Sequence, residues 1–430
     1  MKKLLYIIPL ILLLALLVAC GAPEETTVTP EPALPASIWD GSVASGFAGG
    51  NGSEVDPYRI ESAAQLAYLA SFVNEGNDCT GKYFALGCDI DLANIAWIPI
   101  GNGEHAFDGN FDGEGHTVLN LKFDDSVRYR DDDCLSDIND GAAIVGLCGL
   151  FGLCENVSIA DINISNVLLD IKDEDAQEFL YIGALVAKLK SNIGCSINNV
   201  KVAGIEIFVP KTVAPFDATV SLMNLKIGGI IGGIDLKSSS KAELHKIQCD
   251  DSKIELEDGA AFNRIGALIG EVNAYDEASF FECSDFVSYM AVDFPYDSFF
   301  KLYKIGAFGS ISCQSAKLSN AYSEIYAHSA GIEYGNGFEA DVFPIACVSP
   351  VKRDENIYSQ YEVENLFGCI KPVDERSYFS EPYCGSLILN SWAKLNVVAI
   401  NNKGCDSLPE GHGFDTSIWD VVDPAKPILK

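Results

Sequence analysis

A glycine box set in aliphatic residues recurs along the chain, and it restricts the fold more than any other feature of the sequence. Successive boxes follow one another at intervals of roughly 35 to 45 residues, a spacing that indicates stacked supersecondary units with a shared core. Four clear copies and two weaker ones occupy residues 181–187, 226–232, 264–270, 304–309, 149–152 and 366–368.

A short stretch typical of a β-strand follows each box. It contains an apolar residue, one or two others, an Asn or Cys, and then alternating residues with no helical period. The stretches occupy residues 196–202, 244–249, 280–284, 317–322 and 387–392. Parallel strands stacked about 4.8 Å apart would place equivalent side chains in ladders. The two patterns together predict an all-β solenoid.

The amino terminus indicates export. Two lysines precede an apolar run, residues 4–19, which is shorter than the roughly 20 residues of a membrane span and typical of a secretory signal. The run ends Leu-Val-Ala-Cys-Gly, which resembles a bacterial lipobox. Residues 1–19 are therefore predicted to be a lipoprotein signal peptide and Cys20 the lipidated residue; an ordinary signal with a chance cysteine is the alternative. Residues 20–37, rich in Pro, Thr and Glu, are predicted to be a flexible tether.

One amphipathic helix is predicted near the start of the folded chain. Ser62 is a suitable N-cap, and residues 74–76 end the helix. Its apolar face consists of Leu66, Leu69, Ala70 and Val73. A solenoid needs its open end covered, and a helix ahead of the strands is well placed to cover it. We therefore expect a short N-terminal capping helix.

The order of motifs after residue 38 is similar to that of a known family. The sequence reads "FAGGNGSEVDPYRI", helix, "GKYFALGCDIDL", "WIPIG", "FDGNFDGEGHTVLNL" and "GLFG". This order resembles the GLUG-motif bacterial surface proteins, and the later glycine boxes resemble GLUG repeats. The segments 413–420 and 427–429 resemble the usual last rung. Several repeats lack the cysteine of the motif, and insertions interrupt them.

The resemblance implies a right-handed parallel β-helix on an exported, surface-attached protein. It divides the folded chain into an N-terminal cap with the first rungs (38–123), GLUG-type repeats with inserted loops (124–401) and a C-terminal last rung or cap (402–430). It implies no reaction, because such modules occur in adhesin-like proteins and as accessory regions of surface proteases. It offers no catalytic residues to place on this chain.

The charge of the chain excludes some partners. The formal net charge is -32, and such a chain repels nucleic acids and anionic lipid headgroups. No basic patch interleaved with aromatic residues occurs. Cations, basic partners, glycans and simple solubility all remain compatible with this composition.

Acidic or irregular insertions separate the strand groups, at residues 124–139, 170–178, 209–221, 293–300 and 333–364. In a solenoid, insertions collect as loops and are frequent sites of recognition. The longest, 333–364, is the first candidate for a partner surface because it is rich in aromatic residues. A loop folded back to shield apolar rungs is the alternative. The aromatic candidates are Tyr334, Phe338, Phe343, Tyr358 and Tyr361.

The chain has 14 cysteines, so thirteen remain when Cys20 is reserved. An odd number outside the cytosol leaves at least one thiol or an intermolecular bond. Without a C-x-x-C pair, a zinc ribbon is not expected. Cys79 with Cys88, or Cys148 with Cys154, could bridge neighbouring strands. The alternative is that many cysteines are small buried residues in ladder positions.

Carboxylates are the remaining candidates for chemistry, since neither an H-E-x-x-H nor a G-x-S-x-G motif occurs. Glycosidases need two carboxyl groups about 5–9.5 Å apart, and calcium needs clustered oxygens. The candidates are Asp89, Asp91, Asp108 and Asp112. We favour the interpretation that these aspartates support turns. Calcium bound by Asp131, Asp132 and Asp133, or by Asp173, Glu174 and Asp175, is a further alternative to a solvated acidic loop.

Three hypotheses follow for function. The leading one is a non-enzymatic, lipid-anchored scaffold at the outer membrane or cell surface that displays loops for adhesion or for binding a glycan or protein. It predicts no catalytic residues and no cofactor apart from a weakly indicated calcium ion. The second is a carbohydrate-active β-helix enzyme, which requires converging carboxylates and a basic residue in a cleft. The third is an accessory module of a surface protein complex.

Overall fold

A computed structural model describes most of the chain after residue 36. The described residues are 37–124, 128–135, 142–170, 179–209, 224–256, 262–294, 302–329, 339–342, 345–348, 359–372, 388–390, 395–404, 414–423 and 426–430. All of them belong to one compact unit, Ala36–Lys430. The predicted signal, Cys20 and the tether before residue 37 lie outside the described residues.

The described elements are one helix and 27 short or bent strands. The helix is α1 (Ala63–Asn74). The first strands are β1 (Ser37–Ile38), β2 (Tyr58–Ile60), β3 (Tyr83–Leu86), β4 (Ile90–Asp91), β5 (Asn110–Asp112), β6 (Thr117–Asp124), β7 (Arg128–Leu135), β8 (Ala142–Cys148), β9 (Phe151–Glu155), β10 (Ser158–Asp170), β11 (Phe179–Gly183), β12 (Val186–Ser191) and β13 (Cys195–Val209).

The later strands continue the same alternation of short and long elements. They are β14 (Asn224–Gly228), β15 (Ile231–Leu236), β16 (Lys241–Leu256), β17 (Phe262–Ala274), β18 (Phe280–Phe294), β19 (Leu302–Ser312), β20 (Ser315–Ser329), β21 (Glu339–Val342), β22 (Ala346–Val348), β23 (Ser359–Pro372), β24 (Ile388–Asn390), β25 (Leu395–Gly404), β26 (Trp419–Asp420) and β27 (Ile428–Leu429).

Nearly all of these strands lie in two large sheets. Thirteen form the long-strand sheet, whose main order is β1-β4-β6-β10-β13-β16-β18-β20-β23-β25. Twelve form the glycine-box sheet, whose main order is β24-β22-β19-β17-β14-β11-β8-β7. The named strands within both sheets pair in parallel, except that β7 pairs antiparallel with β8. The prediction of an all-β parallel solenoid is confirmed.

Each rung of the solenoid contributes to both sheets in turn. In one rung, β11 and β12 lie on the two sides of a glycine bend, and β13 crosses into the long-strand sheet. Each pairs with its counterpart one repeat later, β14, β15 and β16. This pairing places equivalent residues of successive repeats in contact, as the recurrence of the box predicts.

The core consists of ladders of inward-facing side chains. One ladder runs through Ile182, Ile227, Ile265 and Ile305 in the glycine-box sheet. These residues and their equivalents in the long-strand sheet belong to one continuous apolar cluster that extends from Trp39 to Ile370. A solenoid core of this kind grows in one dimension, so its size is set by the number of rungs.

The glycine box is required because two segments of backbone approach closely at the bend. A Cβ on Gly228 would lie 1.8 Å from the carbonyl oxygen of Ile231, and one on Gly266 would lie 1.8 Å from that of Ile269. The second glycine of the box has the same constraint, since a Cβ on Gly270 would lie 2.5 Å from the oxygen of Gly232. No side chain fits at these distances.

Bends of the long strands use a second device, residues in the left-handed backbone region. The φ angle of Asn320 is 53°, and equivalent rungs repeat this conformation at the same position. Asn320 Nδ2 donates to Asp285 Oδ1 at 3.1 Å, and Asn365 Nδ2 donates to Asn320 Oδ1 at 2.9 Å. Asn and Asp tolerate this conformation better than other non-glycine residues. The column contains Asp161, Asn199, Lys246, Asp285, Asn320 and Asn365.

The predicted helix is confirmed. Ser62 is its N-cap and accepts from Gln65 N at 3.3 Å, while Glu75 is the C-cap. Its buried face contains the four predicted residues together with Ala63 and Ala67. Ser37 Oγ accepts from Ala63 N at 3.1 Å, which ties the helix to β1. The apolar face joins the solenoid core.

Two short motifs belong to different sheets from the ones that the sequence predicts. Residues 366–368 are not a glycine box, because Leu366 pairs with Ala321 in the middle of the long-strand sheet. Residues 388–390 form β24, which pairs with β22 in the glycine-box sheet. Both motifs are short and apolar, and the surrounding insertions hide the period that would assign them.

The C-terminal segment, residues 414–430, is not a further rung. Its strands β26 and β27 pair antiparallel with each other and not with either large sheet. The segment packs instead on the outer face of the long-strand sheet, where Trp419 and Leu429 are buried with Val287, Tyr322 and Phe367. β25, which ends at Gly404, is therefore the final described strand of the stack, and the division at residue 402 into a last rung or cap stays a prediction.

The close approach at the glycine bend predicts a strong effect of a single methyl group. Gly228→Ala should lower the free energy of unfolding by about 3 kcal/mol, because the neighbour is backbone and cannot rotate away. Gly46→Ala is the control, since a Cβ there meets no atom within 4 Å. Urea unfolding monitored by circular dichroism measures both. Equal midpoints for the two variants would contradict the steric explanation.

Candidate functional site

The predicted aspartates support turns. Asp89 Oδ1 accepts from Thr117 N at 2.9 Å and lies 3.2 Å from His116 Nδ1. Asp91 Oδ1 accepts from Ala93 N and from Asn120 Nδ2, both at 2.8 Å. These bonds connect neighbouring strands and loops of the first rungs.

Asp108 and Asp112 have the same role. Asp108 Oδ1 accepts from Cys79 N at 3.1 Å, and Asp112 Oδ1 accepts from Glu114 N at 2.7 Å. Within the described residues, no three His, Cys, Asp or Glu side chains are grouped to hold a metal ion. The acidic segment 173–175 and the side chains of residues 131–133 lie outside what the structure describes. The hydrogen bonds of the four aspartates agree with the favoured interpretation that they support turns.

The two predicted disulfides do not form, so that prediction is wrong. All four cysteines are buried thiols. Cys79 Sγ contacts the Asn77 carbonyl oxygen at 3.7 Å, and Cys88 Sγ contacts that of Glu61 at 3.3 Å. Cys148 and Cys154 pair with Ile182 and Leu189 on opposite sides of a glycine bend. Burial raises the pKa of the Cys79 thiol to about 12, so it is protonated at neutral pH.

The aromatic loop 333–364 is not a single loop. It contains β21, β22 and the start of β23, which form part of a rung. Tyr361 is 1% exposed and lies in the core, where its hydroxyl donates to Cys313 O at 3.2 Å. The prediction that Tyr361 is a binding residue is therefore wrong. Tyr334, Phe338, Phe343 and Tyr358 lie outside the described residues.

The insertions leave and rejoin the solenoid along one line, which we name the insertion edge. The strands that follow them begin at Phe179, Asn224, Phe262, Leu302 and Glu339, and these five residues are aligned in register. The strands that precede them end within one residue of alignment, at Asp170, Val209, Leu256, Phe294 and Ser329. The ends of five connecting segments are therefore aligned along this edge; one of them, residues 257–261, was not among the insertions indicated by the sequence.

A cluster of buried charges lies on the outer side of the glycine bend, and we name it the charged corner. Leu189, Ile234 and Val272 face the core, so residues on either side of them face outward. Side chains that point outward from the strand segments before and after a bend can meet only where the bend is concave on its outer side. The charged corner consists of Lys188, Lys226, Asp235, Arg264 and Glu271.

Ion pairs connect these residues, and the two pairs of Glu271 cross the bend. Lys226 Nζ lies 2.7 Å from Glu271 Oε2, and Arg264 Nε lies 3.5 Å from Glu271 Oε1. Lys188 Nζ lies 3.5 Å from Asp235 Oδ2. The exposed fractions of the five side chains range from 1% to 14%. Buried charges are tolerated only when they are paired in this way.

Two polar side chains complete the corner. Asn273 Nδ2 lies 2.9 Å from Glu271 Oε2 and 3.5 Å from Asp235 Oδ1, so one amide contacts both carboxylates. Tyr275 Oη lies 3.4 Å from Asp235 Oδ1 and carries a largely exposed ring. Tyr275 is thus the part of this network that solvent reaches.

The electrostatics keep Glu271 ionised. Burial alone would raise its pKa, but the charges of Lys226 and Arg264, with hydrogen bonds from Lys226 and Asn273, outweigh burial and lower the pKa to about 2. A carboxyl group in this state carries no proton at neutral pH and cannot serve as a general acid. Burial raises the pKa of Asp250, but Asp250 lies on the other sheet.

Sequence reasoning missed the charged corner. The only signal is a cation two residues before the first glycine of three boxes, at Lys226, Arg264 and Lys304. Asp235 and Glu271 follow their boxes at different offsets, so periodicity does not connect them with the cations. The meeting of the two rows depends on the concave outer side of the bend, which is a tertiary property.

Comparisons with known proteins find relatives that match part of the chain. No protein-family model matches it. It is 30% identical to "Halomucin" of Haloquadratum walsbyi over 182 residues, which are 39% of this chain and 2% of halomucin. It is 30% identical to a "Putative Gly-rich membrane protein" of Evansella cellulosilytica over 122 residues, 27% of this chain and 12% of that protein. The chain thus spans a small part of either relative.

One solved structure has a similar fold. The crystal structure of a "putative immunoglobulin A1 protease" from Bacteroides ovatus aligns with a TM-score of 0.50 at 16% identity, covering 89% of this chain and 95% of that one. At this identity the likeness concerns the fold alone. No helix in the described ranges is long and apolar enough to cross a membrane.

Removing one partner of the charged corner should destabilise the protein. Glu271→Gln leaves Lys226 and Arg264 buried beside a neutral side chain, so the free energy of unfolding should fall by about 3–5 kcal/mol at pH 7. Glu243→Gln is the control, because Glu243 forms an exposed pair with Lys241 and such pairs contribute about 0–1 kcal/mol. Urea unfolding of both variants checks the difference; similar losses would contradict it.

The low pKa of Glu271 also predicts acid sensitivity. Because its folded-state pKa is about 2, below the ordinary value of 4.5, its contribution to stability is complete above about pH 4.5 and is lost as the pH falls toward 2. The melting temperature of the natural chain should fall across this window. Glu271→Gln should show a smaller fall, and an equal fall would contradict the assignment.

Proposed function

We propose that this chain is a non-enzymatic cell-surface lipoprotein whose right-handed β-helix displays loops for adhesion, by binding an extracellular glycan or protein. The insertion edge carries this proposal. The strands that follow five connecting segments begin in register along this line, and insertions of a solenoid are frequent sites of recognition.

The connections at the opposite edge, where the long strands begin, can be compared with those at the insertion edge, where the long strands end. There the glycine-box sheet passes into the long strands through short turns at residues 192–194, 237–240 and 275–279. In these three rungs the connection at the opposite edge is short, whereas residues 349–358 form a longer connection there between β22 and β23. Most of the longer connections therefore lie at the insertion edge, which suits a binding surface there.

Surface attachment is the second part of the proposal. The lipobox-like sequence at Cys20 would anchor the chain to a membrane by a lipid, at the outer membrane or cell surface. The names of the two relatives, a halomucin and a membrane protein, agree with this location. We also propose that the solenoid is of the GLUG type and that α1 covers its N-terminal end.

A carbohydrate-active enzyme is the second candidate, and one observation favours it. Asp235 and Glu271 are close enough for one amide nitrogen to contact both, with Lys226 and Arg264 beside them. The carboxylates of a glycosidase pair are similarly close. Two facts favour the scaffold instead: these side chains are buried in ion pairs, and Glu271 is ionised.

A polysaccharide and protein panel distinguishes the two candidates. The chain from Ala36 onward is incubated with host and bacterial polymers and proteins, with calcium and with chelator, and both retention and polymer size are measured. We expect retention with the polymer intact. If the natural chain shortens a polymer and Glu271→Gln does not, the enzyme replaces the scaffold as the proposed function.

Loop replacement then tests the insertion edge. Replacing residues 171–178 and 210–223 by short Asn-Gly turns should weaken retention at least tenfold, because the replaced residues supply the binding surface. Ile193→Ser, an exposed change in a short turn at the opposite edge, should leave retention unchanged. Retention that survives replacement of every insertion would show that binding occurs elsewhere.

A further inference from the structure

The outer face of the long-strand sheet carries an unusual row of side chains. Ile247, Phe286 and Leu366 point into the core, so the residues that follow them in each strand point outward. The resulting row faces away from the core yet is largely apolar and aromatic. It contains Gln248, Val287, Tyr322 and Phe367, aligned across β16, β18, β20 and β23.

The C-terminal segment covers this row with its own apolar side chains. Phe414 packs against Phe367 with ring centroids 5.6 Å apart, and Phe414 and Trp419 stack at 4.2 Å. Trp419 is 0% exposed and Leu429 is 2% exposed. Together these residues and the row form a small core that is separate from the solenoid core.

The face also recognises the backbone of the segment. Lys201 Nζ donates to Leu429 O at 3.0 Å, and Leu429 N donates to Gln248 Oε1 at 2.9 Å. Tyr289 Oη donates to Pro427 O at 2.9 Å. Side chains that pair with the backbone of an extended segment are a feature of peptide-binding sites, where they supplement pockets for apolar anchors.

The anchor of the segment is Trp419. Its Nε1 donates to Asp285 Oδ1 at 3.0 Å, and Asp285 is itself buried. Asp285 also accepts from Asn320 and lies 3.3 Å from His245 Nδ1, so its position is defined before the tryptophan arrives. A buried tryptophan with one hydrogen bond is the typical hot spot of an interface.

The segment is held by the face in the manner of a ligand. Its described residues add no strand to either large sheet, and residues 405–413 connect it to the last strand of the stack. The contacts described above join it to the face through side chains. A second copy of the chain carries an identical segment. That segment has the side chains to make the same contacts with the face.

We propose that this outer face is a peptide-binding site that holds the C-terminal segment of its own chain and takes the same segment from a second copy. Exchange of such a terminal element between identical chains is an economical route to association. Chains anchored at high density would favour the exchange, since tethering raises the effective concentration of the segment. This inference goes beyond the proposed loop-binding function and uses a different sheet face.

The test uses the full chain with a protease site inserted in residues 405–413. After cleavage, a fluorescent synthetic peptide of residues 414–430 is added and its anisotropy is measured. We expect saturable binding to the cleaved protein and at least tenfold weaker binding to the uncleaved protein, whose own segment occupies the face. No binding to a cleaved protein that keeps its circular dichroism spectrum would overturn the proposal.

Two peptides and one change in the face give the matched controls. Trp419→Ala in the peptide should weaken binding at least tenfold, whereas Val422→Ser, at a position that is 92% exposed, should have no effect. Lys201→Met in the full chain should weaken binding of the natural peptide several-fold. Equal affinity of the two variant peptides would overturn the site, as would unfolding of the protein on release of its segment.

Exchange between copies is measured on uncleaved chains. Two preparations labelled with donor and acceptor dyes, one on the solenoid and one near Lys430, are mixed at high concentration. Energy transfer that grows with time and is competed by the natural peptide supports exchange. Absence of transfer at any concentration would overturn the part of the proposal that concerns a second copy.

Discussion

The close approach of backbone to backbone at the glycine bend is the constraint on which the rest of the structure depends. At Gly228 and Gly266 even one methyl group would overlap a carbonyl oxygen. Where the box is present, it permits this close approach, and its recurrence marks successive rungs of the stack. Every ladder in the core follows from this repeat, because residues equally distant from the bend stack on one another.

The same bend explains the buried charges. Its concave outer side brings side chains that point away from the core into contact, where an ordinary outer surface would leave them in water. Lys226, Arg264 and Glu271 lose solvent in this position and recover part of the cost by pairing. The charged corner thus pairs its charges with one another, which suits a structural element better than an open catalytic cleft.

The two faces of the long-strand sheet have different uses. Inward side chains build the solenoid core, and the outward row from Gln248 to Phe367 binds the C-terminal segment. The insertions emerge at the edge of the sheet and not from its face. A solenoid can separate these roles because each rung contributes inward-facing residues to the core, outward-facing residues to the face and strand ends to the edge. Repetition then turns each position into a continuous surface.

Several features could be predicted from local sequence. Alternation and the glycine period indicated the parallel stack, the spacing from Ser62 to Val73 indicated the helix, and Asp-Gly pairs indicated the turns supported by Asp108 and Asp112. Predictions failed where the period was interrupted. Residues 333–364, 366–368 and 388–390 lie among insertions, and the sheet of their described strands is decided by pairing with neighbouring rungs that are far away in the chain.

The sequence by itself determined the repeat, the class of fold and the position of the helix, because each of these depends on contacts between near neighbours or on a regular period. Only the tertiary structure decided the charged corner, the alignment of the insertions and the docking of the C-terminal segment. Trp419 and Asp285 are distant in the chain and share no pattern, yet stacking of the rungs places them 3.0 Å apart at their polar atoms. Contacts of this kind depend on the register of the whole stack, which no local pattern contains.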